Sequence, residues 1–163
     1  MPPDLAELVA HDHRVIAGLV AAVADTERAD RFPLAHRLLD ALSAHTAAEL
    51  QILYPALRDI VPGGVELANR GQADHDALRP LLVALERSHP DDPAFDDVIR
   101  GVAAAVEGHA PLVEDELLPA LADVVGPGPM IELGAVYASV KDSLPTGLEA
   151  LPGAAPGPRF TTG

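Results

Sequence analysis

The strongest constraint on this chain is a set of four long stretches in which apolar residues recur every three or four positions. Each stretch ends at a short polar, Pro-rich or Gly-rich break. That spacing is the period of an α-helix, and no segment alternates with period two for long enough to argue a strand. The predicted helices span residues 4–27, 33–59, 65–87 and 94–124, with Asp4 as N-cap of the first. Their stripes are Leu5, Val9, Ile16, Val20 and Val23; Leu34, Leu38, Leu42, Ile52 and Ala56; Val65, Ala68, Leu78, Leu82 and Leu85; and Val98, Val102 and Val106. Val61-Pro62-Gly63-Gly64, His89-Pro90-Asp91-Asp92-Pro93 and Gly126-Pro127-Gly128-Pro129 close the second, third and fourth. Long amphipathic helices joined by short connections lie antiparallel to their neighbours. The expected fold is therefore all-α: an up-down-up-down four-helix bundle over residues 1–125. A short extra C-terminal helix at 130–143 and a loose Pro/Gly-rich tail from Leu144 make up residues 126–163.

Composition narrows the chemistry. The 163 residues suffice for one domain with a real core, and only 3% are aromatic, so the 48% hydrophobic content is mostly Ala, Leu and Val, as suits helix-on-helix packing. The absence of cysteine removes disulfides, zinc–thiolate sites, iron–sulfur clusters and thiol nucleophiles. A formal net charge of -14 opposes binding to nucleic acid or to an anionic membrane surface. The first residues lack the basic and apolar regions of a signal peptide. The longest apolar run, residues 15–24, is far shorter than the ~20 residues that span a bilayer. The expectation is a soluble cytoplasmic protein, monomeric or weakly dimeric, with no nucleic-acid or membrane partner.

The apolar stripes are interrupted in a regular way. His13 stands between Val9 and Ile16. The second stripe passes Leu42, His45, Glu49 and Ile52, the third Gln72, His75 and Leu78, and the fourth Val106, His109 and Val113. Each of four helices thus sends one histidine inward, and the second adds a carboxylate one turn on. A charged Glu49 in an apolar seam would cost several kcal/mol unless paired or bound to a metal. One pair of divalent ions would satisfy all four imidazoles and the carboxylate together. Donors without thiolate suit iron or manganese, and also zinc. Glu114 follows His109 by five residues, which on a regular helix points it about 140° away. Pro111 lies between them, and a kink or wide π-type turn there would swing Glu114 inward. His11, His36 and His89 fall off the seams and read as surface residues.

A weak internal repeat supports the arrangement: Leu53-Tyr54-Pro55 and Leu117-Leu118-Pro119 each begin eight residues after a seam histidine. Competing readings find no support. The chain has no Gly-rich phosphate loop after a strand, no His-Glu-x-x-His zinc motif, no two Glu-x-x-His motifs on separate helices as ferritin-like di-iron bundles carry, and no Gly-x-Ser-x-Gly elbow.

These features together resemble the hemerythrin-like (HHE cation-binding) domain family over about residues 4–124: Asp12-His13-Arg14, His45-x-x-x-Glu49 running into Leu-Tyr-Pro, Asp74-His75, and His109 with Glu114 five later running into Leu-Leu-Pro. The resemblance implies a non-haem di-iron site with an oxo or hydroxo bridge, in which zinc or manganese can substitute. His13, His45, His75 and His109 would be terminal ligands, Glu49 and Glu114 bridging carboxylates, and Tyr54 an additional ligand or a supporting residue. No catalytic residue beyond the ligands is implied. The chain departs from the oxygen-carrying pattern, which has a His-x-x-x-His pair on the third helix where Gly71 stands here. The missing imidazole argues against oxygen carriage and for an open position that takes oxygen, peroxide or nitric oxide. The functional expectation is reaction with such small oxidants, as in catalase-like defence against oxidative stress. The alternatives are an iron- or oxygen-sensing or oxygen-binding module without turnover, and a metal-free interaction bundle.

Overall fold

The computed structural model describes residues 1–153. Its helices begin where local chemistry favours them. Asp4 and Glu7 form a reciprocal capping box, with Glu7 N–H on Asp4 Oδ1 and Asp4 N–H on Glu7 Oε2, and this starts α1, Leu5–Asp25. A 3₁₀ turn, Arg28–Asp30, leads into α2, which runs through Arg31–Ala48, a π segment at Glu49–Leu53, and Tyr54–Ile60. α3 spans Gly64–Arg87. α4 runs through Phe95–Leu112, a π segment at Val113–Leu117, and Leu118–Val125. α5 is Pro127–Ser143. Among the described residues there is no strand, and no helix is long and apolar enough to cross a membrane.

Each helix packs against its neighbour in sequence, and α4 closes the bundle against α1. The turn into α3 is tight. A Cβ on Gly64 would stand 1.8 Å from the Leu57 carbonyl oxygen, so only glycine lets α3 start this close to the end of α2. The core falls into two apolar clusters. One gathers Leu53, Leu57, Leu117 and Leu121 with Leu5 and Met130; the other gathers Ile16, Val23, Leu38, Leu82, Phe95 and Ile99. His13, His45, Glu49, His75 and His109, all buried, come from the helix stretches between these clusters.

Most predicted stripe positions are buried, with three differences. Val65 is 56% exposed, because the adjacent Gly64 makes the close contact instead. Phe95 and Ile99 carry the burial at the start of α4, while Val98 and Val106, like Leu34 and Ile52 of α2, are only partly covered. The stretch expected to be loose from Leu144 onward is anchored as far as Pro152. Ala150 and Leu151 are buried beside α2, and Arg79 donates to the Pro152 carbonyl at 2.7 Å. The rest of that stretch, 154–163, lies outside the described residues. α5 lies on the outside of α1 and α2 rather than in the four-helix ring.

Candidate metal centre

The repeated Leu-x-Pro segments shape both long helices. In α2 the Tyr54 N–H bonds back five residues to the Glu49 carbonyl, and in α4 the Leu118 N–H does the same to Val113. Pro55 and Pro119 come next, and each lacks the N–H that a regular turn would use. A single wide turn absorbs that loss in each helix. The two π segments begin at the same offset, four residues after His45 and His109, but they present different residues there. Glu49 opens the first and is 0% exposed. Val113 opens the second and is also 0% exposed, while Glu114 sits one position further round with a side chain 37% exposed.

The four seam histidines meet as two pairs. His13 and His45 approach through their Nε2 atoms at 3.1 Å, and His75 and His109 likewise at 3.1 Å. Glu49 lies between the pairs. Its Oε2 is 3.0 Å from His109 Nε2 and 3.1 Å from His75 Nε2, while its Oε1 is 3.3 Å from His45 Nε2 and 3.8 Å from His13 Nε2. Glu49 Oε1 is fully buried and makes no well-directed hydrogen bond among the described residues. Ligand atoms of His13, His45, Glu49 and His109 all fall within 4.8 Å of one another. Glu114 contacts the other side of the cluster: its Oε1 accepts from His13 Nδ1 at 2.6 Å. The wide turn that brings it there covers Val113–Leu117, whereas Pro111 lies within the regular part of the helix.

The outer ring nitrogens are held by residues that the spacing of the seams does not reveal. Asp12 Oδ2 accepts from His45 Nδ1 at 3.3 Å, and Asp74 Oδ2 accepts from His109 Nδ1 at 3.1 Å. In both Asp-His dipeptides the histidine points inward while the aspartate serves the histidine of the next helix. Tyr137 of α5 donates to Asp12 Oδ2 at 2.7 Å and accepts from His45 Nδ1 at 2.9 Å; Lys141 donates to Asp12 Oδ1 at 2.5 Å. The two halves therefore differ. Asp12 is covered by α5, whereas the Asp74 side chain is 41% exposed. These bonds fix the imidazole tautomers so that Nε2 of His45 and His109 faces Glu49. Tyr137→Phe should weaken metal binding roughly tenfold or more. A competition titration against a chelator, with Tyr137→Leu excluded as too disruptive, measures this.

Electrostatics follow from burial opposed by charge. Burial alone would raise Glu49, but His45 and the bonds from His109 and His75 hold its carboxyl well below the usual value. Burial would lower His45, but Glu49 and Asp12 outweigh it and push the ring up to about 9. Burial and the charge on His45 push His13 down, and burial pushes His75 down. Asp12 is held low, against its burial, by His45 and Lys141. Tyr54 and Tyr137 are pushed well above the ordinary phenol value by burial and by the nearby carboxylates.

The signs make a stability prediction for the metal-free chain. His45 keeps its proton when folded, so its contribution is complete below 6.5, its ordinary value, and is lost as pH rises toward about 9. His13 and His75 resist protonation when folded, so stability also falls as pH drops below that same ordinary value, 6.5. Thermal melts of metal-free protein should peak near pH 6.5 and decline on both sides. A melting temperature that stays flat or rises between neutral pH and 9 would contradict the assignment of the buried charge.

Tyr54, 0% exposed, donates to Glu49 Oε2 at 3.0 Å and lies 3.4 Å from His75 Nε2. Its ring occupies the space over Gly71, where an added Cβ would meet Tyr54 Cε1 at 2.7 Å and the hydroxyl at 2.9 Å. Beside the cluster is a cavity of about 20 Å³, walled by the four histidines, Thr46 and Asp74 together with Ile16, Leu42, Leu78, Ala105 and Val106. That volume admits at least one water-sized molecule. His11, His36 and His89 are exposed, away from the cluster.

A buried group of four imidazoles around one carboxylate, inside a helical bundle, defines a cation-binding bundle protein. The donor set fits a metal: paired Nε2 atoms and an unbonded, fully buried Glu49 oxygen are what a cation would satisfy. The profile described as "Hemerythrin HHE cation binding domain" matches residues 4–121, so the chain belongs to that family. A crystal structure of a hemerythrin HHE cation-binding domain-containing protein from Mycobacterium kansasii is 25% identical, with 86% of each chain covered and a TM-score of 0.73. A comparison with curated proteins finds no match.

Proposed function

We propose that this protein is a non-haem di-iron protein that reacts with small oxidants and removes hydrogen peroxide in a catalase-like manner in the cytoplasm. The observation that carries the reading is Glu49: its two oxygens face separate histidine pairs, His13 with His45 and His75 with His109. Such a carboxylate suits two ions better than one. His13, His45, His75 and His109 would hold the irons with Glu49 as the central carboxylate, and Glu114, which bonds His13 Nδ1, would join them by turning from that nitrogen. Two irons would supply the electron changes needed to turn over peroxide, oxygen or nitric oxide. The protein's own residues do the rest. Asp12, Tyr137 and Asp74 orient imidazoles, Tyr54 holds one Glu49 oxygen, and the small cavity with its aliphatic side chains admits small molecules alone.

A second reading, an iron- or oxygen-responsive module without turnover, is favoured by α5. This outer helix touches His45 directly through Tyr137, so a change at His45 would reach a surface that a partner can read. One experiment separates the readings. Protein loaded with ferrous iron in air is assayed for iron per chain, for its visible spectrum and for oxygen released from peroxide. About two irons with turnover supports peroxide removal. Two irons and large metal-dependent stabilisation without turnover supports the responsive module. Absence of iron uptake ends both.

A further inference from the structure

Thr46 directly follows His45, is 3% exposed, and its hydroxyl has no hydrogen-bond partner among the described residues. Threonine hydroxyls inside helices commonly donate to a carbonyl one turn back, and this one does not. Thr46 also lines the cavity of about 20 Å³ beside the imidazoles. The other polar groups in that wall are committed: Asp74 to His109, and the four rings to one another, to Glu49 and to their outer partners. The rest is aliphatic. Among the described residues no group competes for the Thr46 hydroxyl, and a polar group in this position is costly unless something accepts its hydrogen bond.

We propose that Thr46 is a positioning residue whose hydroxyl donates a hydrogen bond to the small molecule taken into this cavity. It would favour ligands with a hydrogen-bond acceptor, such as peroxide or azide, over ligands bound by apolar contact alone. The inference rests on the di-iron reading above.

The test uses full-length iron-loaded protein with azide as probe, read by its visible absorption, for wild type, Thr46→Val and Thr46→Ser. Valine matches threonine in shape and lacks the hydroxyl; serine keeps it. Thr46→Val should take up as much iron as wild type but bind azide about tenfold more weakly, the scale of one good hydrogen bond. Thr46→Ser should bind within about twofold of wild type. Melting of the metal-free forms supplies a second readout. Replacing an unpartnered hydroxyl by a methyl should raise the melting temperature of Thr46→Val. Equal azide affinity in Thr46→Val, or a lower metal-free melting temperature with unchanged azide binding, would overturn the proposal and make Thr46 structural. If wild type takes up no iron, the di-iron reading falls and this proposal falls with it, an outcome distinct from loss of the Thr46 effect alone.

Discussion

Glu49→Gln should abolish metal-dependent stabilisation of this protein. The side chain is 0% exposed and touches all four seam histidines, so glutamine preserves volume while removing the charge that faces both pairs. In wild type, a metal that binds only the folded chain stabilises it by about 2.7 kcal/mol at a hundredfold excess over its dissociation constant. For a domain of this size that is a rise in melting temperature of roughly 5–10 °C. The variant should show almost none of that rise, and its metal content should fall well below that of wild type. The metal-free forms are the informative control. His45 is held up to about 9 chiefly by Glu49, with Asp12 adding to it, so in Glu49→Gln it should lose its proton nearer neutral pH, and the decline in stability above pH 6.5 should flatten. Apolar replacement of the pair, in a His45→Leu and Glu49→Leu double variant, should leave the metal-free bundle at least as stable as wild type, since buried ion pairs often give way to hydrophobic residues without loss. Metal-free stability alone therefore says nothing about function. Wild-type metal-dependent stabilisation persisting in Glu49→Gln would remove this residue from the centre.

The histidines were legible because a helix repeats its face every three or four residues, and each histidine replaces an apolar residue on such a face. Glu49 was legible for the same reason, since four residues keep it on the face of His45. Glu114 needed more. The sequence points to a wide turn at Pro111, but the turn lies at Val113–Leu117, just before Pro119, and a parallel turn precedes Pro55; the repeated Leu-x-Pro segments mark both. Asp12, Asp74, Tyr137 and Lys141 escaped because periodicity reports the face on which a residue lies and not what the next helix places opposite. The only trace of the aspartates is the repeated Asp-His dipeptide. α5 hides its role further: its buried face is Met130, Gly134 and Tyr137, with glycine where a side chain would strike the start of α1. The tail residues Ala150 and Leu151 carry too short an apolar signal to outweigh the surrounding Pro and Gly, yet they are buried.

Gly71→His tests why this chain lacks the paired histidines of the third helix. Position 71 precedes His75 by one turn, so the substitution restores the missing spacing. The space is taken, however. Even a bare Cβ would stand 2.7 Å from Tyr54 Cε1, closer than ordinary packing permits, and the ring it strikes is fully buried and bonded to Glu49. Gly71→His should therefore gain no ligand and should lose stability by about 1–3 kcal/mol or more from overpacking. That corresponds to a melting temperature lower by roughly 3–10 °C, with iron content no higher than wild type. Tyr54→Ala alone should also destabilise, through the cavity it leaves. The two changes should compensate: the imidazole fills space that the phenol vacates, and the double variant should be more stable than the sum of the singles predicts by about 1 kcal/mol or more. A double-mutant cycle on thermal stability, with and without iron, measures the coupling. In the double variant the added imidazole should also tighten iron binding relative to Tyr54→Ala. If Gly71→His alone melts like wild type, the tyrosine ring moves aside freely, and Tyr54 is not the group that fills the place of the absent histidine. Additive effects would carry the same message. Strong coupling would mean that glycine at 71 and tyrosine at 54 are one choice, made together, between a fifth imidazole and a phenol held against the carboxylate.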